Sequence, residues 1–212
     1  MKNGLRITAV ALCCVALVAC SQKGPAEAAL KAAETSVNDV KAEGAKYAPE
    51  QTKGVQSSFA SAQDAFNKGD YKAATEIAQG VPAKAKDVVA AIAAKKDELT
   101  KSWSELSASV PGMVEQVKAK VDALSAMKKR PKDMDAAKLE AAKASLADIE
   151  KSWDEASEAF KSGNLIDATA KGSGVKTKAT DEMATLGLTP GAPPAAAAPA
   201  PAAHKAKSAK KM

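Results

Sequence analysis

Residues 136–164 read AAKLEAAKASLADIEKSWDEASEAFKSGN, and the spacing within this stretch decides the fold. Leu139, Ala142, Leu146, Ile149, Trp153, Ala156 and Phe160 recur at alternating intervals of three and four. On a helix of about 3.6 residues per turn these positions form one apolar stripe, with Lys, Glu, Asp and Ser around the remainder. Gly163-Asn164 closes the stretch as a helix stop followed by an N-cap.

The same pattern extends outward in both directions. One run holds Leu30, Ala33, Val37, Val40 and Tyr47, and another Val55, Phe59, Ala62 and Phe66. A longer one carries Val81, Ala85, Val88, Ile92, Leu99, Trp103, Leu106 and Val110, and a short one Val114, Val117, Val121 and Leu124. Alternating apolar and polar stretches of the strand type are absent. Ala48-Pro49-Glu50 suits a helix start, and Gly69-Asp70 a stop and a new cap. Val110-Pro111-Gly112 and Arg130-Pro131-Lys132-Asp133 read as further breaks. The predicted helices cover 25–46, 49–68, 70–109, 112–129, 133–162 and 164–186, the third kinked at Gly80-Val81-Pro82. The fold class is all-α: an elongated antiparallel helical bundle of duplicated helical hairpins over 25–186, followed by a disordered C-terminal tail.

The duplication shows at an offset of 94. Phe59 matches Trp153, Ala62 matches Ala156, Phe66 matches Phe160, and Gly69-Asp70 matches Gly163-Asn164. Ala74-Thr75 and Gly80-Val81 match Ala168-Thr169 and Gly174-Val175. A fainter echo at an offset of 50 joins Lys101–Ser107 to Lys151–Ser157. Shared glycine and aromatic positions favour duplication over chance likeness between Ala/Lys-rich helices.

Composition excludes most chemistry. Of three cysteines, Cys13 and Cys14 lie in the apolar N-terminal run, and the one histidine, His204, lies in the C-terminal tail. No His/Cys metal set and no Ser-His or Cys-His nucleophile pair can be drawn from them. Acidic side chains alternate with lysines on the polar helix faces, as in Glu140 with Lys143, and read as solvated surface rather than catalytic pairs. Gly172-Ser173-Gly174 lacks the strand and the residue order of a phosphate loop. The net charge of +6 belongs to the ends. Lys2, Arg6, Lys205, Lys207, Lys210 and Lys211 lie there, leaving 25 basic against 25 acidic residues between them. A neutral body argues against nucleic acid as partner. The expectation is a protein that is not an enzyme and holds no cofactor.

Residues 1–19 open with Lys2 and Arg6, continue through an apolar run of 12 residues from Ile7 to Val18, and meet Leu17-Val18-Ala19-Cys20. The run is shorter than the about 20 residues a membrane-spanning helix needs, and fits the apolar region of a signal peptide. Leu17-Val18-Ala19-Cys20 resembles the lipobox of bacterial lipoproteins. That resemblance implies cleavage before Cys20, a diacylglyceryl thioether on its sulfur, and acylation of the new amino group. Ser21 in place of Asp resembles the class exported to the outer membrane, which implies a lipid-anchored protein on its periplasmic side. Residues 20–24 then form a lipid-anchored linker.

The turn Ala65-Phe66-Asn67-Lys68-Gly69-Asp70-Tyr71-Lys72-Ala73-Ala74 resembles the hairpin of tetratricopeptide repeats. It is also similar to the turn of Ala-rich helical-hairpin envelope lipoproteins. The likeness covers 48–80 and, more loosely, 149–174. The repeat spacing departs from the roughly 34 residues of tetratricopeptides, so no superhelical peptide groove is carried over.

Residues 187–212 are a separate element. Ala and Pro dominate 187–201, a composition that forms no core, and 187–204 span about 55 Å at about 3.1 Å per residue. Lys205, Lys207, Lys210 and Lys211 follow without an acid. Two readings of them stay open, a contact with peptidoglycan or anionic lipid, and a solubilising end. The function expected is that of a helical spacer or protein-interaction module, with another envelope protein as a further candidate partner. The alternative is a binding module, with a peptide or apolar ligand in a groove opened at Gly80 and Gly174.

Overall fold

The computed structural model describes residues 2–129, 131–132 and 134–189, with side chains from residue 22 onward. It is all-α. Among the described residues five helices follow one another: α1 (Lys2–Tyr47), α2 (Pro49–Asn67), α3 (Tyr71–Ala126), α4 (Ala136–Lys161) and α5 (Leu165–Thr185). They divide between Thr100 and Lys101 into two compact units. Unit 1 contains α1, α2 and the first part of α3; unit 2 contains the rest of α3, α4 and α5.

In unit 1 the predicted seams are the core. Ala33, Val37, Val40 and Tyr47 of α1 are buried, as are Val55 and Ala62 of α2 and Ala78, Val81, Val88 and Ile92 of α3. Most of these side chains are small, so the helices approach closely. A Cβ on Gly44 would overlap the Thr52 hydroxyl and come within 3.1 Å of Val88 Cγ1. Among the described residues Thr52 is one of two buried polar ones, and its hydroxyl donates to the Ala48 carbonyl at 2.8 Å. A single residue, Ala48, joins α1 to α2, with Pro49 at the start of α2 as expected.

In unit 2, Trp103, Leu106, Val110, Met113, Val117, Val121 and Leu124 of α3 pack with Leu139, Leu146 and Ile149 of α4 and Val175, Ala179 and Met183 of α5. Asp135 caps α4 by accepting from Lys138 N–H at 2.8 Å. The helix therefore begins at Ala136 rather than at 133.

The duplication read at an offset of 94 is present in the backbone. Gly69 and Gly163 both have positive φ, +80° and +78°, where a side chain is strained. Around each turn the bonds coincide. Gly69 N–H donates to Phe66 O and Asp70 N–H to Ala65 O; Gly163 N–H donates to Phe160 O and Asn164 N–H to Ala159 O. The hydroxyls of Thr75 and Thr169 each donate at 2.7 Å to the carbonyl four residues back. Ala62 and Ala156, Ala74 and Ala168, Val81 and Val175, and Ile92 and Leu186 are all buried. The caps differ: Asp70 accepts from Ala73 N–H at 3.0 Å, whereas the Asn164 side chain bonds to Asp167.

One expected interruption does not occur. α3 runs through Val110-Pro111-Gly112, and it includes Gly80-Val81-Pro82 as the expected third helix does. A proline inside a helix costs about 3 kcal/mol or more by removing one hydrogen bond and crowding the preceding turn. At Pro111 the loss falls on the solvent side, since Ser107, Pro111 and Gly112 are exposed, so water can serve the freed carbonyl. The buried side chains of Val110 and Met113 flank it. At about 1.5–3 kcal/mol per buried apolar side chain, keeping both in the seam offsets the break. Pro82 lies beside buried Val81 and Ala85 in the same way. α1 likewise includes Pro25 and passes through 20–24, the segment read as a linker.

Candidate functional site

The residues nominated from the sequence fall at the two ends of the chain. Cys20 belongs to the backbone of α1, and its side chain lies outside the described residues. Lys205, Lys207, Lys210 and Lys211 also lie outside the described residues. What the structure describes is the surface between them.

Near Cys20, α1 meets the start of α3. Gln22, Pro25, Lys72, Thr75 and Glu76 line a shallow cleft of about 250 Å3. Ala26 is fully buried, so packing begins six residues after Cys20. The α2–α3 turn closes this end of unit 1. There Phe66 and Tyr71 meet edge to face, with centroids 5.1 Å apart and planes at 63°. Both rings are half-buried, and Asn67, Lys68, Gly69, Asp70 and Lys72 are exposed.

Unit 2 holds a different aromatic arrangement. Trp103 of α3 is sandwiched between two residues of α4. Its ring lies 5.2 Å from Trp153 at 7° and 4.8 Å from Phe160 at 10°. Trp103 is 8% exposed, whereas Trp153 and Phe160 are only half-buried. Trp153 is therefore not the fully buried anchor that its seam position suggests; Trp103 fills that role. Gly172 makes room for the stack. A Cβ there would stand 3.0 Å from Leu106 Cδ1, 3.3 Å from Trp103 Cζ3 and 3.7 Å from Trp153 Cζ3. The Gly172-Ser173-Gly174 stretch lies inside α5, as a close-packing device and not as a loop.

Beside the stack, α4 and α5 share a ladder of ion pairs. Lys178 Nζ lies 2.5 Å from Asp148, and Lys171 Nζ 2.8 Å from Glu155. The hydrogen bond and charge of each lysine hold the facing carboxyl below its ordinary value. All four groups are well exposed, so the ladder sets register more than it stabilises. Ser152, Gly174 and Val175 complete a shallow cleft of about 200 Å3 around it. A third depression, of about 290 Å3, lies where α5 ends, lined by Lys120, Leu124, Pro131, Met134 and Leu186 among others.

Chemically these places are modest. Among the described residues no group of three or more His, Cys, Asp or Glu is arranged to hold a metal ion. Among the same residues no helix is long and apolar enough to cross a membrane. The groove expected from breaks at Gly80 and Gly174 has no such breaks to open it. α3 and α5 are continuous there, and a Cβ on either glycine would meet open space. The aromatic sandwich and the role of Gly172 were missed by sequence reasoning; the one signal was a glycine in the middle of a helical run. Comparison of the chain with protein-family models, with curated proteins and with solved structures gave no match.

Proposed function

We propose that this chain is a non-enzymatic, lipid-anchored protein of the cell envelope that acts as a helical spacer or protein-interaction module. Cys20 is its lipidated residue, and the outer membrane's periplasmic side its location. The observation that carries the reading is Leu17-Val18-Ala19-Cys20 at the end of a short apolar run behind Lys2 and Arg6. The helical units support it, since most of the predicted seam positions are buried in their cores and their surface clefts are shallow. Lys205, Lys207, Lys210 and Lys211 then form a second contact, with peptidoglycan carboxylates or lipid headgroups. Each lysine near an anionic surface contributes about 1 kcal/mol, reduced by salt.

Two experiments test this. Mass spectrometry of the mature N-terminus should find acyl chains on Cys20, and fatty-acid labelling should vanish in Cys20→Ala; labelling that persists refutes the anchor. Sedimentation with purified cell walls at low salt should depend on residues 205–212. Binding unchanged by their deletion would leave the tail a solvated end.

A further inference from the structure

The path from Cys20 to the packed body is short. Five residues separate Cys20 from Ala26, which is fully buried. As a helix the six steps advance about 9 Å; fully extended they cover no more than about 22 Å. Gln22 and Pro25 share a cleft with Lys72, Thr75 and Glu76, so this part of α1, just after Cys20, lies level with the start of α3. The α2–α3 turn stands at this end of unit 1, and the α1–α2 turn at Ala48 at the other. An acyl chain on Cys20 would bring the α2–α3 turn close to the headgroup layer, which is roughly 5–7 Å deep on each side of a bilayer.

The turn has the side chains for such a place. Phe66 and Tyr71 present an edge-to-face pair that the protein covers only in part. Lys68 and Lys72 extend on either side of it, exposed. Of the charged neighbours, Lys68 pairs with Asp64 at 2.6 Å, Asp70 caps the first turn of α3, and Glu76 lines the cleft beside Lys72. Aromatic rings with a polar tip, and lysines with apolar stems, suit the boundary between headgroups and acyl chains.

The duplicated hairpin supplies an internal control. The turn in unit 2 makes the same backbone bonds. At the positions of Lys68, Tyr71 and Lys72 it carries Ser162, Leu165 and Ile166. The turn therefore folds without those two lysines and without the tyrosine. They occur in the copy that lies beside Cys20.

Taking Cys20 as the lipid anchor, we propose that the α2–α3 turn is a second membrane contact. Phe66 and Tyr71 seat at headgroup level, with Lys72 among the lipid phosphates, and unit 1 stands on the bilayer by this end. The inference rests on the anchor reading, and the test separates the two. In the mature lipidated protein Cys20 is capped, so an introduced cysteine is the one free thiol. Nitroxide labels at Asn67→Cys and at Glu50→Cys, on opposite ends of α2, are compared in vesicles of phosphatidylethanolamine and phosphatidylglycerol. The label at 67 should lose most of its collisions with a water-soluble nickel chelate, and the label at 50 should keep them. Equal exposure of both labels on vesicle-bound protein overturns the inference and leaves the anchor standing. Protein that leaves the vesicles overturns both. A variant with the unit 2 residues, Lys68→Ser, Tyr71→Leu and Lys72→Ile, keeps a turn known to fold. It should remain on vesicles yet return the label at 67 to the exposure seen at 50; undiminished shielding would refute the part assigned to these side chains.

Discussion

Gly172 and Gly174 stand two residues apart on α5, and replacing each by alanine should move stability in opposite directions. Both gain helix propensity, about 1 kcal/mol in favour of alanine. At Gly174 nothing lies within 4 Å of the new Cβ, so Gly174→Ala should stabilise by about that amount. At Gly172 the Cβ meets Leu106 Cδ1 at 3.0 Å and Trp103 Cζ3 at 3.3 Å. The leucine methyl can shift. The indole cannot shift easily, because Trp153 and Phe160 hold it on both faces. Overpacking of this kind costs about 1–3 kcal/mol, which outweighs or cancels the propensity gain. Gly172→Ala should therefore be neutral to destabilised by about 2 kcal/mol, and the two variants should differ by about 1–3 kcal/mol. Denaturant unfolding followed by tryptophan fluorescence reads this directly, because both tryptophans of the chain belong to the unit 2 stack. If Gly172→Ala raises the midpoint as much as Gly174→Ala does, α5 is not pressed against the stack and the packing argument fails.

Other outcomes follow from the same geometry. Trp103→Ala should cost about 3–5 kcal/mol, and Trp153→Ala distinctly less because its side chain is only partly buried; equal losses in chemical denaturation would contradict the assignment of Trp103 as the anchor. Gly44→Ala should destabilise unit 1 by about 1–3 kcal/mol before the propensity gain. The Thr52 hydroxyl it displaces is bound to Ala48 O, and far-UV circular dichroism during melting is the readout. Asp148 and Glu155 titrate below their ordinary value in the folded state. Their contribution is thus present above the ordinary carboxylate range and is lost as pH falls through the lowered folded values. Replacing Lys171 and Lys178 by methionine should flatten that part of the acid-stability profile, and added salt should flatten it too.

The helices were legible because one physical cause, burial of a stripe, writes itself at every third or fourth residue. Val37, Val55, Val88, Val117 and Ile149 stand in the seams where their spacing places them. The hairpin turns were legible because Gly69 and Gly163 occupy a conformation that other residues resist. Pro111 misled because a local rule for proline carries no account of which face the lost bond occupies. The flanking Val110 and Met113 decide that, and they act through α4 and α5. The aromatic sandwich was illegible for a related reason. Trp103 and Trp153 are 50 residues apart, and nothing in either heptad says that their rings will stack. Of the candidate site, the proposal for Cys20 rests on a contiguous motif, whereas the pairing of Phe66 with Tyr71 beside Gln22 and Pro25 of α1 needs three helices to be placed.

The two hairpins separate what the fold requires from what it merely tolerates. Gly69 and Gly163 share the same φ and the same hydrogen bonds, so the turn needs its glycine. It does not need Asp70, whose capping bond has no counterpart from the Asn164 side chain. Ala62 and Ala156 are both fully buried, so the crossing of each hairpin needs a small residue there. Beyond these points the copies diverge in coupled sets. Gly172 corresponds to Ala78, and Ala78 is fully buried. A Cβ is accommodated in unit 1, while in unit 2 Leu106 and the indole of Trp103 crowd the space it would use. Glycine and stack therefore changed together, a change confined to packing. The exchange of Lys68, Tyr71 and Lys72 for Ser162, Leu165 and Ile166 is of another kind. It leaves the turn's backbone bonds intact and alters what the turn shows to its surroundings. Packing explains the first divergence. For the second we propose a reason outside the helices, at the surface to which Cys20 would hold this end of unit 1.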